Sequence, residues 1–146
     1  MLLEFKLRFI YINNYICVMA NKHKGSNNER ELLKMFSENG WRAARVAGSG
    51  VNDDSPCDLI AGTKQRKLAI ECKSTRKSTL YISKEQMNDF MIFSEMMGLT
   101  PVIAVKFIRN GWVFLNPDKM NPTEKNWVIK LEDANAIGKR LGQLIE

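Results

Sequence analysis

Cys57-Asp58-Leu59-Ile60-Ala61-Gly62, then Thr63-Lys64-Gln65-Arg66, then Lys67-Leu68-Ala69-Ile70-Glu71-Cys72-Lys73 form one continuous segment near the middle of the chain. Two apolar runs of strand length flank four polar residues. So short a connection predicts an antiparallel hairpin. With the turn centred between Lys64 and Gln65, Gly62 faces Lys67 and Asp58 faces Glu71. Directly opposed side chains have Cβ atoms ~4.5–5.5 Å apart, and like charges there are destabilising unless something compensates them. A divalent cation is the obvious compensation, and all-oxygen ligation suits Mg²⁺ or Mn²⁺. Glu71 and Lys73 share a face because strand side chains alternate, which sets the ammonium where it can stabilise charge on a phosphoryl oxygen. Leu59, Ala61, Leu68, Ile70 and Cys72 form the opposite, core-like face.

Working outward, a first helix is expected at about residues 27–39, with Leu32, Leu33 and Phe36 as its apolar stripe and Asn39-Gly40 as its stop. Trp41 to Ala47 reads as a strand, and Gly48 to Pro56 as a loop. Beyond the hairpin, Ser83 starts a second helix with Gln86 as its capping-box partner, and Gly98 ends it. Pro101 to Phe107 is a continuous apolar strand, and Asn110-Gly111 signals a tight hairpin into Trp112 to Leu115. A short apolar piece at Trp127 to Leu131 and a terminal helix from Asp133 complete the chain. The expected fold class is α/β, a central mixed β-sheet flanked by helices in the order αβββαββ plus a C-terminal helix.

The composition fits that single domain. The 146 residues carry 22 Lys plus Arg against 16 Asp plus Glu, a net charge of +6, with 45% apolar residues and 26% charged ones. Such a chain is a globular protein inclined toward polyanions, nucleic acid above all. Cys17, Cys57 and Cys72 are odd in number and form no C-x-x-C pair, so neither a disulfide framework nor a structural zinc site is indicated and an intracellular, cytoplasmic setting is expected. His23 is the only histidine, so any chemistry falls to carboxylates, lysine or hydroxyls. Residues 1–18 stand apart: Leu3, Phe5, Leu7 and Phe9 alternate with Glu4, Lys6 and Arg8, with no apolar run of membrane-span or signal-peptide length. They read as an N-terminal extension upstream of an initiator at Met19, leaving residues 19–146 as the domain.

Each candidate residue also has a plainer role. Ser26-Asn27-Asn28-Glu29 is itself a capping box, so Glu29 is equally suited to closing a helix end. Asp58 fits a turn, Lys73 a solvated surface, Arg30 a helix charge pattern and Gly48-Ser49-Gly50 a flexible corner. Cys57 and Cys72 fit a core, and the Met-rich second helix fits a core or a subunit interface. A predicted carboxylate pair with a lysine beside it, in a basic chain, favours the chemical reading.

Lys24-Gly25-Ser26-Asn27-Asn28-Glu29-Arg30-Glu31-Leu32, Arg45-Val46-Ala47-Gly48-Ser49-Gly50, Asp58-Leu59-Ile60-Ala61-Gly62 and Ile70-Glu71-Cys72-Lys73 closely resemble, in order and spacing, the archaeal Holliday-junction resolvases of the Hjc type. These belong to the restriction-endonuclease-like, PD-(D/E)xK nucleases. The resemblance spans about residues 19–115, and one departure is Cys57 between the motif's Pro and Asp. It implies a single nuclease domain that cuts four-way DNA junctions by paired, Mg²⁺-dependent hydrolysis, with Mn²⁺ as a substitute. Glu29, Asp58 and Glu71 would be metal ligands, Lys73 would orient or deprotonate the attacking water, and Ser49 matches an active-site serine. Arg30 and Arg45 match arginines that hold phosphates near the metal. Lys22, Lys24, Lys64, Arg66, Arg76 and Lys77 would track further phosphates without reading bases. Phe93 and Met97 resemble a homodimer surface. The resemblance implies no membrane partner, and further repair or replication partners are not identifiable from it. A related nuclease with another DNA substrate, and a non-catalytic nucleic-acid-binding protein, are the alternatives.

Overall fold

The structure, a computed structural model, describes residues 27–46 and 55–146. The expectations for the extension at 1–18, Met19, Lys22, Lys24, the Ser26 cap and Ser49 lie outside the described residues. The first helix, α1 (Asn27–Glu38), buries Leu32 and Phe36 and leads into β1 (Arg42–Arg45). The hairpin follows as β2 (Leu59–Gly62) and β3 (Lys67–Thr75), antiparallel with Gly62 opposite Lys67 and Leu59 opposite Ile70. Thr63 closes its turn: its N–H donates to the Arg66 carbonyl at 2.8 Å, and its hydroxyl accepts from the N–H groups of Gln65 and Arg66.

β4 (Thr79–Ser83) and α2 (Lys84–Met96) carry the chain across the sheet to β5 (Thr100–Phe107), which runs parallel to β3 and antiparallel to β6 (Gly111–Leu115). The main sheet therefore has the order β1-β2-β3-β5-β6. A 3₁₀ turn (Pro117–Lys119) leads to β7 (Asn121–Pro122) and β8 (Asn126–Lys130), and β8 lies between β4 and β7 in a second sheet of three strands. Two short helices, α3 (Leu131–Ile137) and α4 (Leu141–Ile145), close the chain.

Both faces of the main sheet are covered. On one, Leu32 and Phe36 of α1 and Leu144 of α4 pack on Leu59, Ile70 and Phe114. On the other, Met87 and Phe90 of α2 join Leu80, Ile82 and Ile129 of the small sheet against Ala69, Ile103 and Val105. A strand buried on both faces reads as a continuous apolar run, which is why β5 does. Full burial of each such Leu, Ile or Phe contributes ~1.5–3 kcal/mol. Phe36 sits 5.7 Å from the Trp41 ring and 6.3 Å from Phe114, fastening α1 to the sheet.

The second sheet is the main departure from the expected order. Thr79 to Ser83 alternates with period two, burying Leu80 and Ile82, and the sequence reading passes over it because Ser83 also starts a helix. Trp127 to Leu131 is its pairing partner rather than an isolated apolar piece. The expected terminal helix from Asp133 is two helices, broken where Lys139 pairs with Phe114. At the β5–β6 connection, positive φ falls on Arg109 (76°) and Gly111 (86°), so the turn is a three-residue loop rather than one centred on Asn110-Gly111. No helix among the described residues is long and apolar enough to cross a membrane.

The α3–α4 break depends on Gly138, where a Cβ would stand 2.2 Å from Val113 Cγ1 and 2.5 Å from the Ala134 carbonyl oxygen. Gly138→Ala should destabilise by about 1–3 kcal/mol through overpacking. Gly142→Ala, where nothing lies within 4 Å of the added carbon, should stabilise by about 0.5–1 kcal/mol through helix propensity. Denaturant unfolding of the two variants checks the opposed signs.

Candidate active site

Asp58 ends the ladder instead of extending it. Its N–H donates to the Ile70 carbonyl at 3.0 Å, its carbonyl accepts from Val46 N–H at 2.9 Å, and its Oδ2 accepts from Cys72 N–H at 2.7 Å. The expected face-to-face register with Glu71 is therefore not realised. An aspartate side chain competes well for a backbone N–H, and here it replaces the carbonyl that a further ladder pair would supply. The outcome still sets the two carboxylates near each other, because Asp58 is bonded to Ile70 and Cys72, the residues on either side of Glu71.

Glu71 is only 5% exposed, on a strand covered on both faces. Its Oε1 accepts from Lys73 Nζ at 2.8 Å and from Gln86 Nε2 at 2.7 Å. The alternation argument for Glu71 and Lys73 therefore holds in detail. Burial pushes the Glu71 carboxyl above the usual range, and Asp58's negative charge adds to the rise while Lys73 opposes it. Burial raises Asp58 as well, helped by Glu29's charge and opposed by Cys72 N–H, Lys73 and Arg45. Burial likewise pushes the thiols of Cys57 and Cys72 up to about 12, which leaves them unreactive, as their plain core reading requires.

Glu29 reaches the same neighbourhood from α1. Arg45 Nε donates to Glu29 Oε2 at 2.7 Å, joining the helix to the end of β1. Its neighbour Glu31 accepts from Trp112 Nε1 at 3.1 Å and pairs with Lys106, whose ammonium also lies 5.6 Å from the Trp112 ring. The Lys106 hydrogen bond holds the Glu31 carboxyl below its usual range. Among the described residues no three carboxylate, cysteine or histidine side chains already form a closed ligand cluster. The donor set nonetheless suits a hard cation: buried Glu71 and half-buried Asp58, both raised by burial and by neighbouring negative charge, with Glu29 within electrostatic reach.

Comparison with known proteins shows which family this hairpin belongs to. The sequence profile of the family described as "Archaeal holliday junction resolvase (hjc)" matches residues 20–146. The chain belongs to the archaeal Holliday junction resolvase (Hjc) family. It is 43% identical over 114 residues to the crossover junction endodeoxyribonuclease Hjc of Methanocaldococcus jannaschii, covering 76% of this chain and 80% of that one. Its identity to the Hjc of Archaeoglobus fulgidus is 36% over 126 residues, covering 81% and 92%. The solved structure of A. fulgidus Hjc, a Holliday junction resolvase from an archaeal hyperthermophile, superposes with a TM-score of 0.76 at 32% identity, covering 84% of this chain and all of that one.

Within this Hjc fold the basic residues divide by position. Arg76 and Lys77 are exposed just past the C-terminal end of β3, a few residues beyond Lys73, and Arg30 is exposed on α1 beside Glu29. Lys64 and Arg66 lie at the hairpin turn, seven or more residues from Lys73 along β3 and so roughly 20 Å away. Arg66 stacks over the Trp41 ring at 5.5 Å. Those two lie at the far end of β3 from Lys73. Of the expected dimer residues, Phe93 is half-buried and packs partly against the core beneath α2, while Met97 is exposed beside Ile92 and Met96. The sequence reading assigns no role to Glu31, Lys106 or Trp112, and gives Gln86 a capping role that its side chain does not play. Glu31 lies inside the quoted motif, but its partners are 75 and 81 residues away.

Both carboxyl shifts are upward, so the stability linked to them is present at low pH and lost as pH rises through the raised values. Without divalent ions, Asp58→Asn should therefore raise Tm at neutral pH by a few degrees and flatten its decline with pH. Mg²⁺ should raise the wild-type Tm and leave the variant's unchanged. Calorimetric melts across pH 4–8, with and without Mg²⁺, check both signs.

Proposed function

We propose that the chain is a structure-specific endonuclease that resolves four-way DNA junctions by paired, metal-dependent phosphodiester hydrolysis. The observation that carries this reading is the hairpin site of an Hjc-family chain, where buried Glu71 lies near Asp58 and is bonded to Lys73. Asp58, Glu71 and Glu29 would hold Mg²⁺, or Mn²⁺ in its place. Bound there, the ion would supply a hydroxide-like nucleophile near neutral pH and neutralise charge developing on the phosphate. Lys73, bonded to Glu71 at 2.8 Å, would present an ammonium that orients water and stabilises the same charge. Arg45, already on Glu29, and exposed Arg30 hold the phosphate next to it, and Ser49 is a further active-site residue in this reading. Arg76 and Lys77 track the strand onward, with Lys22 and Lys24, while Lys64 and Arg66 serve more distant arms.

Two cuts per junction call for two sites related by symmetry. The exposed Met91, Ile92, Met96 and Met97 of α2 form the surface on which a second copy would pack. Residues 19–146 act as the single nuclease domain, with 1–18 as an extension, inside the cell and without a membrane partner.

Incubation with Mg²⁺ and a four-way junction, beside its linear duplex arms, tests the reading. Cleavage confined to the junction is expected, and equal cutting of both substrates would overturn it. Asp58→Asn and Glu71→Gln should each lower cleavage by about 10³-fold or more while keeping junction affinity. Wild-type cleavage in either variant would remove these residues from the site. Met96→Lys, at the most exposed of these positions, should convert a dimer to a monomer in sedimentation.

A further inference from the structure

Gln86 occupies the third position of α2, where the sequence gives it a capping-box role with Ser83. Only half of that box forms. Ser83 Oγ accepts from Gln86 N–H at 3.1 Å, but the Gln86 side chain turns to Glu71 and donates from Nε2 to Oε1 at 2.7 Å. A helix end thus gives up one of its own caps to hold a buried carboxylate on another element. At 5% exposure Glu71 sits in low dielectric, where a bond to a carboxylate is strengthened by its charge.

The two donors on Glu71 both fall on Oε1, from Lys73 on one side and Gln86 on the other. Together they fix the carboxylate's orientation and leave the lone pairs of Oε2 available to a cation. The helix itself is held in place independently, through Met87, Phe90 and Ser94 on its buried face. A cavity of about 530 Å³ adjoins the pair, and its wall also carries Glu85 and Asp89, so a neutral donor here holds Glu71 without adding another negative charge.

We propose that Gln86 is a positioning residue of the metal site, its amide fixing Glu71 so that one oxygen is presented to the ion. This rests on the reading of Glu71 as a metal ligand. Partners that orient a metal's ligands typically contribute 10–100-fold in affinity.

The test is calorimetric titration of Mn²⁺ into the metal-free full chain. Gln86→Met, which keeps the volume and removes the donor, should weaken Mn²⁺ binding by about 10-fold. The half-saturating Mg²⁺ for junction cleavage should rise by a similar factor, while the rate at saturating Mg²⁺ stays close to wild type. Ser83→Ala, which loosens the same helical turn, should leave Mn²⁺ affinity unchanged. Wild-type affinity in Gln86→Met overturns the proposal. So does equal weakening by Ser83→Ala, since the effect would then be helix placement. Asp58→Asn separates the two levels. If it abolishes Mn²⁺ binding while Gln86→Met does not, only the role of Gln86 fails; if it leaves Mn²⁺ binding intact, the metal site and the proposal fail together.

Discussion

A carboxylate on a strand buried from both sides is the constraint around which this molecule is arranged. β3 is covered by α1 on one face and by α2 with the small sheet on the other, so Glu71 cannot keep its charge hydrated. Removing a charge from water costs several kcal/mol unless partners replace the solvent. Lys73 and Gln86 replace part of it, and the proximity of Asp58 works against them. The carboxyls of Glu71 and Asp58 are therefore both held above their usual range. The same upward shift makes the site a poor stabiliser of the fold and a good place to concentrate positive charge next to a phosphate.

The surrounding architecture keeps that arrangement in place. Helix α1 brings Glu29 and Arg30, and it is fastened twice: by Phe36 among Trp41 and Phe114, and by Glu31 against Lys106 and Trp112. The second fastening spans the sheet from its helix to β5 and β6. Glu31 is therefore a structural acid inside a motif of functional ones. Its carboxyl is held low by its ammonium partner while Asp58 and Glu71 are held high by burial. Opposite shifts within one neighbourhood thus separate an acid fixed by an ammonium from two held in low dielectric.

What the sequence made legible follows from the range of the interactions concerned. The β2–β3 hairpin, the α2 start at Ser83 and the shared face of Glu71 and Lys73 depend on neighbours in the chain, and all three are found. Asp58 shows the limit of the same logic. Ladder arithmetic places it opposite Glu71, but a short polar side chain can take a backbone N–H for itself, and that choice ends the strand one pair early. The small sheet escapes notice because β4 meets β8 some fifty residues later, and neither segment alone buries enough to announce itself. Gln86 is the sharpest case. Its spacing from Ser83 satisfies a local rule, and only the folded chain reveals that Glu71 is the better acceptor.

That competition bears on how the net charge of +6 should be understood. Glu29, Asp58 and Glu71 count as three negative charges in the sum, yet each is engaged by a donor of the protein itself: Arg45, Cys72 N–H, and Lys73 with Gln86. The acids are thus locally screened before any ion arrives, and a cation at this site would reverse their sign altogether. The basic residues nearest to them, Arg30, Arg76 and Lys77, then act on a phosphate without an opposing field, while Arg66, stacked on Trp41 at the far end of the hairpin, contributes only to the long-range attraction. A modest overall charge of +6 thus understates the basic character of this face, because its acidic groups are the ones held by the protein's own donors.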